Sequence, residues 1–282
     1  MKEENENKNV LLESAVEGNA EALEKLLGGI QDMVFNLSLR MLGTIPDAED
    51  ASQEILVRVM TNLGTFRRES NFHTWVYRIA VNYLLNYKKS MFAHQPLDFE
   101  FYGNDIRYAV LDETEGMIEE ESRQQLAEEL KMSCTNVMLQ CLDADSRCIF
   151  ILGTMFRIDS RTAGEILQMT PENFRQKLSR IRVKLAAFLA EYCGLSGVGM
   201  CSCKKRVEYA VKQKRISPER LEYLKLHPLD SHVLEEYKDE MEKLDELSQV
   251  FDELPMYQTP DTVRGRMEMV LRSSNMEKIQ EY

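Results

Sequence analysis

Asp47-Ala-Glu-Asp-Ala-Ser-Gln-Glu54, then Phe66-Arg-Arg-Glu-Ser-Asn-Phe-His-Thr-Trp75, then Tyr77-Arg-Ile-Ala-Val-Asn82: these three runs decide how the chain is read. The first opens a helix predicted over Pro46–Leu63. Ile55, Leu56, Val59, Met60 and Leu63 recur at helical spacing and make its apolar stripe. Pro46 suits a first helical turn, and acids there complement the helix dipole. Asp47, Asp50 and Glu54 stand three and then four residues apart, so their carboxylates share one face, with Glu49 and Gln53 beside them. A second helix is predicted over Phe72–Lys89, where Phe72, Trp75, Val76, Ile79, Ala80, Tyr83, Leu84 and Tyr87 follow a 3.6-residue period. The loop Gly64–Asn71 between them carries Phe66, Arg67 and Arg68, and the second helix ends in Lys88 and Lys89.

An acid-fronted helix packed on another helix is by itself an ordinary solvated face. The three runs in this order are more specific, because together they resemble the signature of bacterial RNA polymerase sigma factors of the extracytoplasmic-function type. The resemblance implies that Asp47, Glu49, Asp50, Gln53 and Glu54 dock on core RNA polymerase. It implies that Phe66, Arg67, Arg68, Asn82, Lys88 and Lys89 meet promoter DNA at the minus-ten element, where the duplex is opened and a base is flipped out. Trp75 lies on the apolar stripe and reads first as a core residue, with a wedge against the first unpaired base as the alternative.

Outward from this stretch the chain reads as all-α. Only 13 Gly and 7 Pro stand among 282 residues, and 44% are hydrophobic. Helices are predicted over Val10–Leu27 and Ile30–Leu42, which with the two above form a four-helix domain, residues 10–92. Residues 93–117 lose periodicity, contain Pro96, Gly103 and Gly116, and read as a linker. Residues 118–192 form a second domain: a helix over Ile118–Leu142, another over Cys148–Phe156 capped by Asp143–Arg147, and a helical hairpin over Asp159–Leu189. In the hairpin Gln168-Met169 make the turn, Thr170 is the N-cap and Pro171 the first helical residue. Phe174, Leu178, Ile181 and Leu185 face inward, leaving Asn173, Arg175, Gln176, Lys177 and Arg180 exposed, as a major-groove reader requires. Coupled to the first signature, Phe174-Arg-Gln-Lys-Leu-Ser-Arg180 resembles the minus-thirty-five reader, although Gln168 stands where such turns carry Gly.

The net charge of −12 at first argues against a DNA binder. Its distribution does not. Residues 65–92 hold 5 basic and 1 acidic side chain, residues 146–192 hold 8 and 4, and residues 193–220 hold 7 and 2, whereas residues 221–282 hold 7 and 15. The basic blocks coincide with the candidate DNA-reading segments and the stretch after them, and local positive charge drives phosphate contact. No catalytic motif is present, so a non-enzymatic binding protein is expected.

Residues 193–282 form an extension with Cys193, Cys201 and Cys203, expected to be helical and regulatory. It resembles the cysteine-bearing extensions of some extracytoplasmic-function factors. A Cys-x-Cys pair with Cys193 could hold a soft metal ion, zinc or copper; the alternatives are a redox-sensitive thiol set or structural cysteines. The basic run Lys204–Arg206 is expected to lower the thiol pKa values, and the acidic helices to clamp the second domain. Cys134, Cys141 and Cys148, seven apart, read as small core residues on one helical face, and His73 and His94 as ordinary polar positions. The acidic start, the absence of a 20-residue apolar run and the unpaired cysteines point to a cytoplasmic protein without membrane insertion. Core polymerase and promoter DNA are the implied partners, with an anti-sigma factor as a further one. The rival reading is a stand-alone metal- or redox-responsive helix-turn-helix regulator, which would have no need of the acidic face at Asp47–Glu54.

Overall fold

The computed structural model describes residues 10–87, 92, 97–111, 118–229, 251 and 254–272. Twelve α-helices are used below: α1 (residues 10–16), α2 (Ala20–Gly28), α3 (Gln31–Leu42), α4 (Ile45–Thr61), α5 (Phe72–Leu85), α6 (Phe99–Leu111), α7 (Glu120–Leu139), α8 (Ala144–Phe150), α9 (Ser160–Leu167), α10 (Pro171–Tyr192), α11 (Cys203–Lys212) and α12 (Asp261–Leu271). Among the described residues there is no strand, only isolated bridge pairs.

Local chemistry sets most boundaries. Asn19, Thr44, Asn71, Asp143, Asp159 and Thr170 each sit in extended backbone before a helix, and their side chains accept first-turn N–H groups. The helix expected over Val10–Leu27 is broken where Gly18 (φ 95°) turns the chain into the Asn19 cap. The second signature helix stops at Leu85, short of the expected Lys89. α8 passes into a π-turn, Ile151–Met155, whose Gly153 carbonyl and Thr154 hydroxyl accept from Arg182, both at 3.2 Å.

α3 is the axis of the molecule. Every residue from Met33 to Leu42 is buried, including Asn36, Ser38 and Arg40. α2, α4 and α5 cover one side, and α7, α8 and the segment before α12 cover the other. The main buried apolar cluster draws on residues from Leu12 to Met267, and a smaller one joins α7 to α11. The main cluster therefore crosses the boundary expected between the two domains, where α5 packs on α9: Tyr77 meets Phe156 edge-on at 6.0 Å, and Arg78 Nε donates to the Glu165 carbonyl at 3.1 Å.

The expected linker is not aperiodic. It holds α6, whose Tyr102, Ile106 and Ala109 are buried. Phe99 and Tyr102 stack about Phe188 of α10, at 5.1 and 6.0 Å. No described helix is long and apolar enough to cross a membrane.

Candidate nucleic-acid interface

α4 presents the acidic face as its spacing requires. Asp50 and Glu54 are exposed, while Asp47, Glu49 and Gln53 are half-buried. Asp47 is fixed at the start by Thr44, whose hydroxyl donates to its carboxylate at 2.8 Å and accepts its N–H at 3.3 Å. The face is not open along its whole length. α12 lies against α4, and Arg266 Nη1 donates to Gln53 Oε1 at 2.7 Å and stands 4.0 Å from Asp50.

Beside this face lies a cleft of about 670 Å³ between the end of α4 and α5. Its walls are Trp75, Ile79, Tyr83 and Tyr87; its polar groups are Arg58, Asn62, Thr65, Asn82 and Asn86. Arg58 stacks over the Tyr83 ring at 5.0 Å. Burial pushes the Tyr87 hydroxyl up to about 12, with Asp47 adding to the effect, so both tyrosines remain neutral donors at physiological pH. Aromatic faces with amide and guanidinium edges are the groups that hold an unstacked base. Trp75 is half-buried, stacked on Phe72 and tilted against Phe66. It is thus at once part of the packing and part of the cleft wall.

Among the other expected DNA contacts, Phe66 is docked on Phe72 and Trp75 rather than extended outward. Arg67 is exposed, and Arg68 takes a left-handed backbone (φ 58°) and pairs with Glu13 at 2.9 Å. Asn82 is exposed on the cleft rim. Lys88, Lys89 and His94 lie outside the described residues, and His73 packs edge-on to Phe72.

The hairpin α9–α10 forms as its sequence predicts. Gln168 closes α9 in the left-handed region (φ 54°, ψ 44°), the conformation for which a glycine is normally used. The turn folds back so closely that a Cβ on Gly164 would stand 2.7 Å from the Met169 carbonyl oxygen. Phe174, Leu178, Ile181 and Leu185 are buried. Asn173, Arg175, Gln176, Lys177 and Arg180 are all exposed. Arg175 is pre-oriented: its guanidinium donates to Glu172 at 2.6 Å and to Ser160 Oγ at 2.9 Å.

The extension corrects the expectation for its thiols, and Cys134 beside it departs from its expected place. Its thiols are not acidified. Lys204 and Lys205 are exposed, Arg206 is buried against Asp105, and the cysteines pack on apolar surface. Burial pushes Cys201 up to about 11 and Cys203 up to about 12, and neighbouring thiols add to the rise. Cys134 is not a plain core residue on a face shared with Cys141 and Cys148. It stands at the thiol cluster, 2.8 Å from the Tyr102 hydroxyl and accepting from Arg206 at 3.6 Å. Cys193 and Cys201 are bridge partners in a tight loop, yet among the described residues no group of three or more His, Cys, Asp or Glu is placed to hold a metal ion. The last described helix, α12, covers α4 of the first domain. Its apolar Val263 and Met267 face inward, and the chain before it pairs with α3. Of the acidic helices expected over Glu219–Leu254, residues 219–229 form turns rather than helix, and most of the rest lies outside the described residues.

The geometry defines a helical protein that couples an acidic helix face, an aromatic cleft beside it and a helical hairpin of helix-turn-helix form. Residues 28–90, spanning α3 to α5, match the family described as Sigma-70 region 2. The RNA polymerase sigma-H factor of Pseudomonas aeruginosa is 26% identical over 172 residues, 61% of this chain and 88% of its own. The extracytoplasmic-function factor SigW of Bacillus subtilis is 26% identical over 60% of this chain and 89% of its own. The sigma-E factor of Escherichia coli K12 reaches 37% over 78 residues, 28% of this chain and 40% of that protein. A solved structure of CnrH in complex with the cytosolic domain of CnrY aligns over 64% of this chain and 95% of that one, at TM-score 0.46 and 19% identity. The chain thus carries a Sigma-70 region 2 over residues 28–90 and is similar, over about 60% of its length, to extracytoplasmic-function sigma factors.

Proposed function

We propose that the three surfaces divide the work of initiation. The α4 face, Asp47, Glu49, Asp50, Gln53 and Glu54, docks on core polymerase. The cleft of Trp75, Tyr83, Tyr87, Asn62 and Asn82 receives a base released from the melted minus-ten element, and Arg67 and Arg68 meet the adjoining phosphates. The exposed side of α10, with Arg175 as a bidentate donor to guanine, reads the minus-thirty-five element in a major groove. The factor acts by binding alone, without chemistry of its own, in the cytoplasm where polymerase and DNA meet. The soft-metal expectation does not enter this reading.

The observation that carries it is the placing of an acidic helix face beside an aromatic, amide-edged cleft within one matched region. A stand-alone regulator would need neither. The test is charge reversal of exposed residues, Asp50→Lys with Glu54→Lys. Exposed reversals rarely unfold a domain, so the helical signal should persist while co-purification with core polymerase is lost. Undiminished co-purification would sink the assignment.

A further inference from the structure

α3 carries one polar stripe on an otherwise apolar cylinder. Asp32, Asn36 and Arg40 stand four residues apart, and each is paired with the C-terminal segment. Asp32 accepts the Thr259 N–H and hydroxyl, both at 2.7 Å, and Arg264 at 3.4 Å. The Asn36 amide bonds the Tyr257 backbone in both directions, at 2.6 and 2.7 Å, in a fully buried site. Arg40 donates to the Pro255 carbonyl at 2.6 Å and to Asn136 of α7 at 2.8 Å. α12 then crosses α4, burying Val263 and Met267 and setting Arg266 on Gln53 and Asp50.

The extension also grips the second DNA-reading part. Glu129 of α7 accepts the backbone N–H groups of Glu222, Tyr223 and Leu224 at 2.6–3.1 Å. The Tyr223 hydroxyl reaches back to the Gly43 carbonyl at 3.2 Å. In this arrangement α5 touches α9. Two promoter elements centred near positions ten and thirty-five are roughly 25 base pairs apart, on the order of 80 Å of duplex at about 34 Å per turn. Helices held in contact do not span that distance.

We propose that residues 254–271 are a built-in competitor for the core-polymerase surface on α4, anchored through α3, so that the closed chain is a resting form and polymerase docking displaces α12. The proposal rests on reading the α4 face as the dock. Two features fit displacement better than permanent packing. The stripe on α3 is polar, so water can satisfy Asp32, Asn36 and Arg40 once the segment leaves. Also, an 11-residue helix has little stability off its support, so α12 depends on its packing against α4 and, to a smaller extent, α2. The Arg266–Asp50 pair is exposed on both sides and contributes little of the grip; the buried Val263 and Met267 supply most of it.

The experiment uses the full chain. Val263→Asp with Met267→Asp should release α12 and tighten binding to purified core polymerase at least about tenfold in fluorescence anisotropy. Arg266→Glu is exposed and carries no folding burden; placing an acid beside Asp50 should tighten binding about two- to fivefold. In wild type, amide hydrogen exchange over residues 261–271 should accelerate when core polymerase is added. Asp50→Lys with Glu54→Lys is measured in the wild-type and the released backgrounds. If the double reversal abolishes binding in both while the release variants leave affinity unchanged, the dock stands and the competitor is refuted. Continued protection of α12 in the complex refutes it as well. If the reversal leaves binding intact in both backgrounds, the dock reading fails and takes the proposal with it. Should the Val263/Met267 variant fold poorly, the Arg266 variant and the exchange data decide.

Discussion

Removing the Asp105 carboxylate should loosen the extension from the rest of the molecule. Asp105 sits on α6, 8% exposed. Its Oδ2 accepts from Arg206 at 2.6 Å, its Oδ1 from the Tyr209 hydroxyl at 2.8 Å, and Arg215 grips both oxygens, Nη2 to Oδ1 at 2.6 Å. Arg206 is 3% exposed, so Asp105→Ala leaves a buried guanidinium without its counter-charge, which costs about 3–5 kcal/mol. Arg215 is a third exposed and can hydrate, so its loss adds little. At roughly 2–4 °C per kcal/mol for a chain of this size, the melting temperature should fall by about 10 °C. Asp105→Asn keeps the shape and one acceptor oxygen and should lose less. The pH dependence fixes the mechanism. Burial pushes the Asp105 pKa up, but hydrogen bonds from Arg215 and Tyr209 and the two guanidinium charges outweigh it, so the folded value lies below the usual 3.8. A depressed folded pKa gives stability that is present above the unfolded value and is lost as pH falls through the folded one. The gap between wild type and Asp105→Asn in urea melts should therefore be wide at pH 7 and narrow progressively as pH falls below 3.8. An Asp105→Ala variant within about 1 kcal/mol of wild type at pH 7, or a gap for Asp105→Asn that does not change with pH, would refute the reasoning.

Gln168→Gly should stabilise the helix-turn-helix. A left-handed non-glycine residue costs about 1–2 kcal/mol, glycine returns about 0.5–1 of that as chain entropy, and the exposed Gln168 side chain has little packing to lose, so a gain of roughly 0.5–1 kcal/mol is expected in urea melts; a loss would mean that the side chain anchors the turn. Alkylation of Cys201 should be slow at neutral pH. With a pKa of about 11 roughly one thiol in a thousand is ionised at pH 8, and allowing for the higher nucleophilicity of a basic thiolate the rate should be roughly 20-fold below that of free cysteine. The raised folded values also make stability fall as pH rises from about 9 toward 12, because only the unfolded thiols ionise early in that window. Alkylation at the free-cysteine rate would place these thiols in water and overturn the burial argument.

What the sequence made legible was whatever local chemistry determines. The stripes of α4, α5 and α10, the caps at Asp143 and Thr170, and the exposed row Asn173–Arg180 all follow from spacing within one element. α6 was missed although its signal is present: Phe99, Tyr102, Ile106 and Ala109 stand three, four and three apart. Gly103, which would ordinarily argue against a helix, is there because Tyr192 packs directly over it; an added Cβ would stand 2.6 Å from the Tyr192 ring. The cleft residues Tyr83, Tyr87, Asn62 and Arg58 were read only as helix stripe or helix end. An aromatic pair at i, i+4 facing a neighbouring helix terminus is the clue that could have singled them out.

The placing of the extension was hidden for a different reason. Counted by segment, its acidic character points toward the basic helix-turn-helix, and attraction between net charges was the only guide available. The contacts observed are of another kind. Asn36 meets a backbone 221 residues away, Arg40 meets a carbonyl 215 residues away, and Arg266, a cation in an acidic segment, finds the acidic face of α4. Net charge sets long-range approach, but over a few ångströms hydrogen-bond complementarity decides, because a buried polar group left unpaired costs more than a screened surface charge yields. The trace of this in the sequence is the stripe Asp32, Asn36, Arg40 itself. On a helix whose other residues are apolar nearly all round, a polar row at four-residue spacing looks like an ordinary solvent face. It serves as one only when the segment that binds it is elsewhere. Burial alone pushes the Arg40 pKa down, and the partners that meet its charge are neutral oxygens rather than a carboxylate. A face made for permanent burial would be expected to carry a hydrocarbon or a counter-ion at that position; one that alternates between a peptide partner and water is served by a guanidinium.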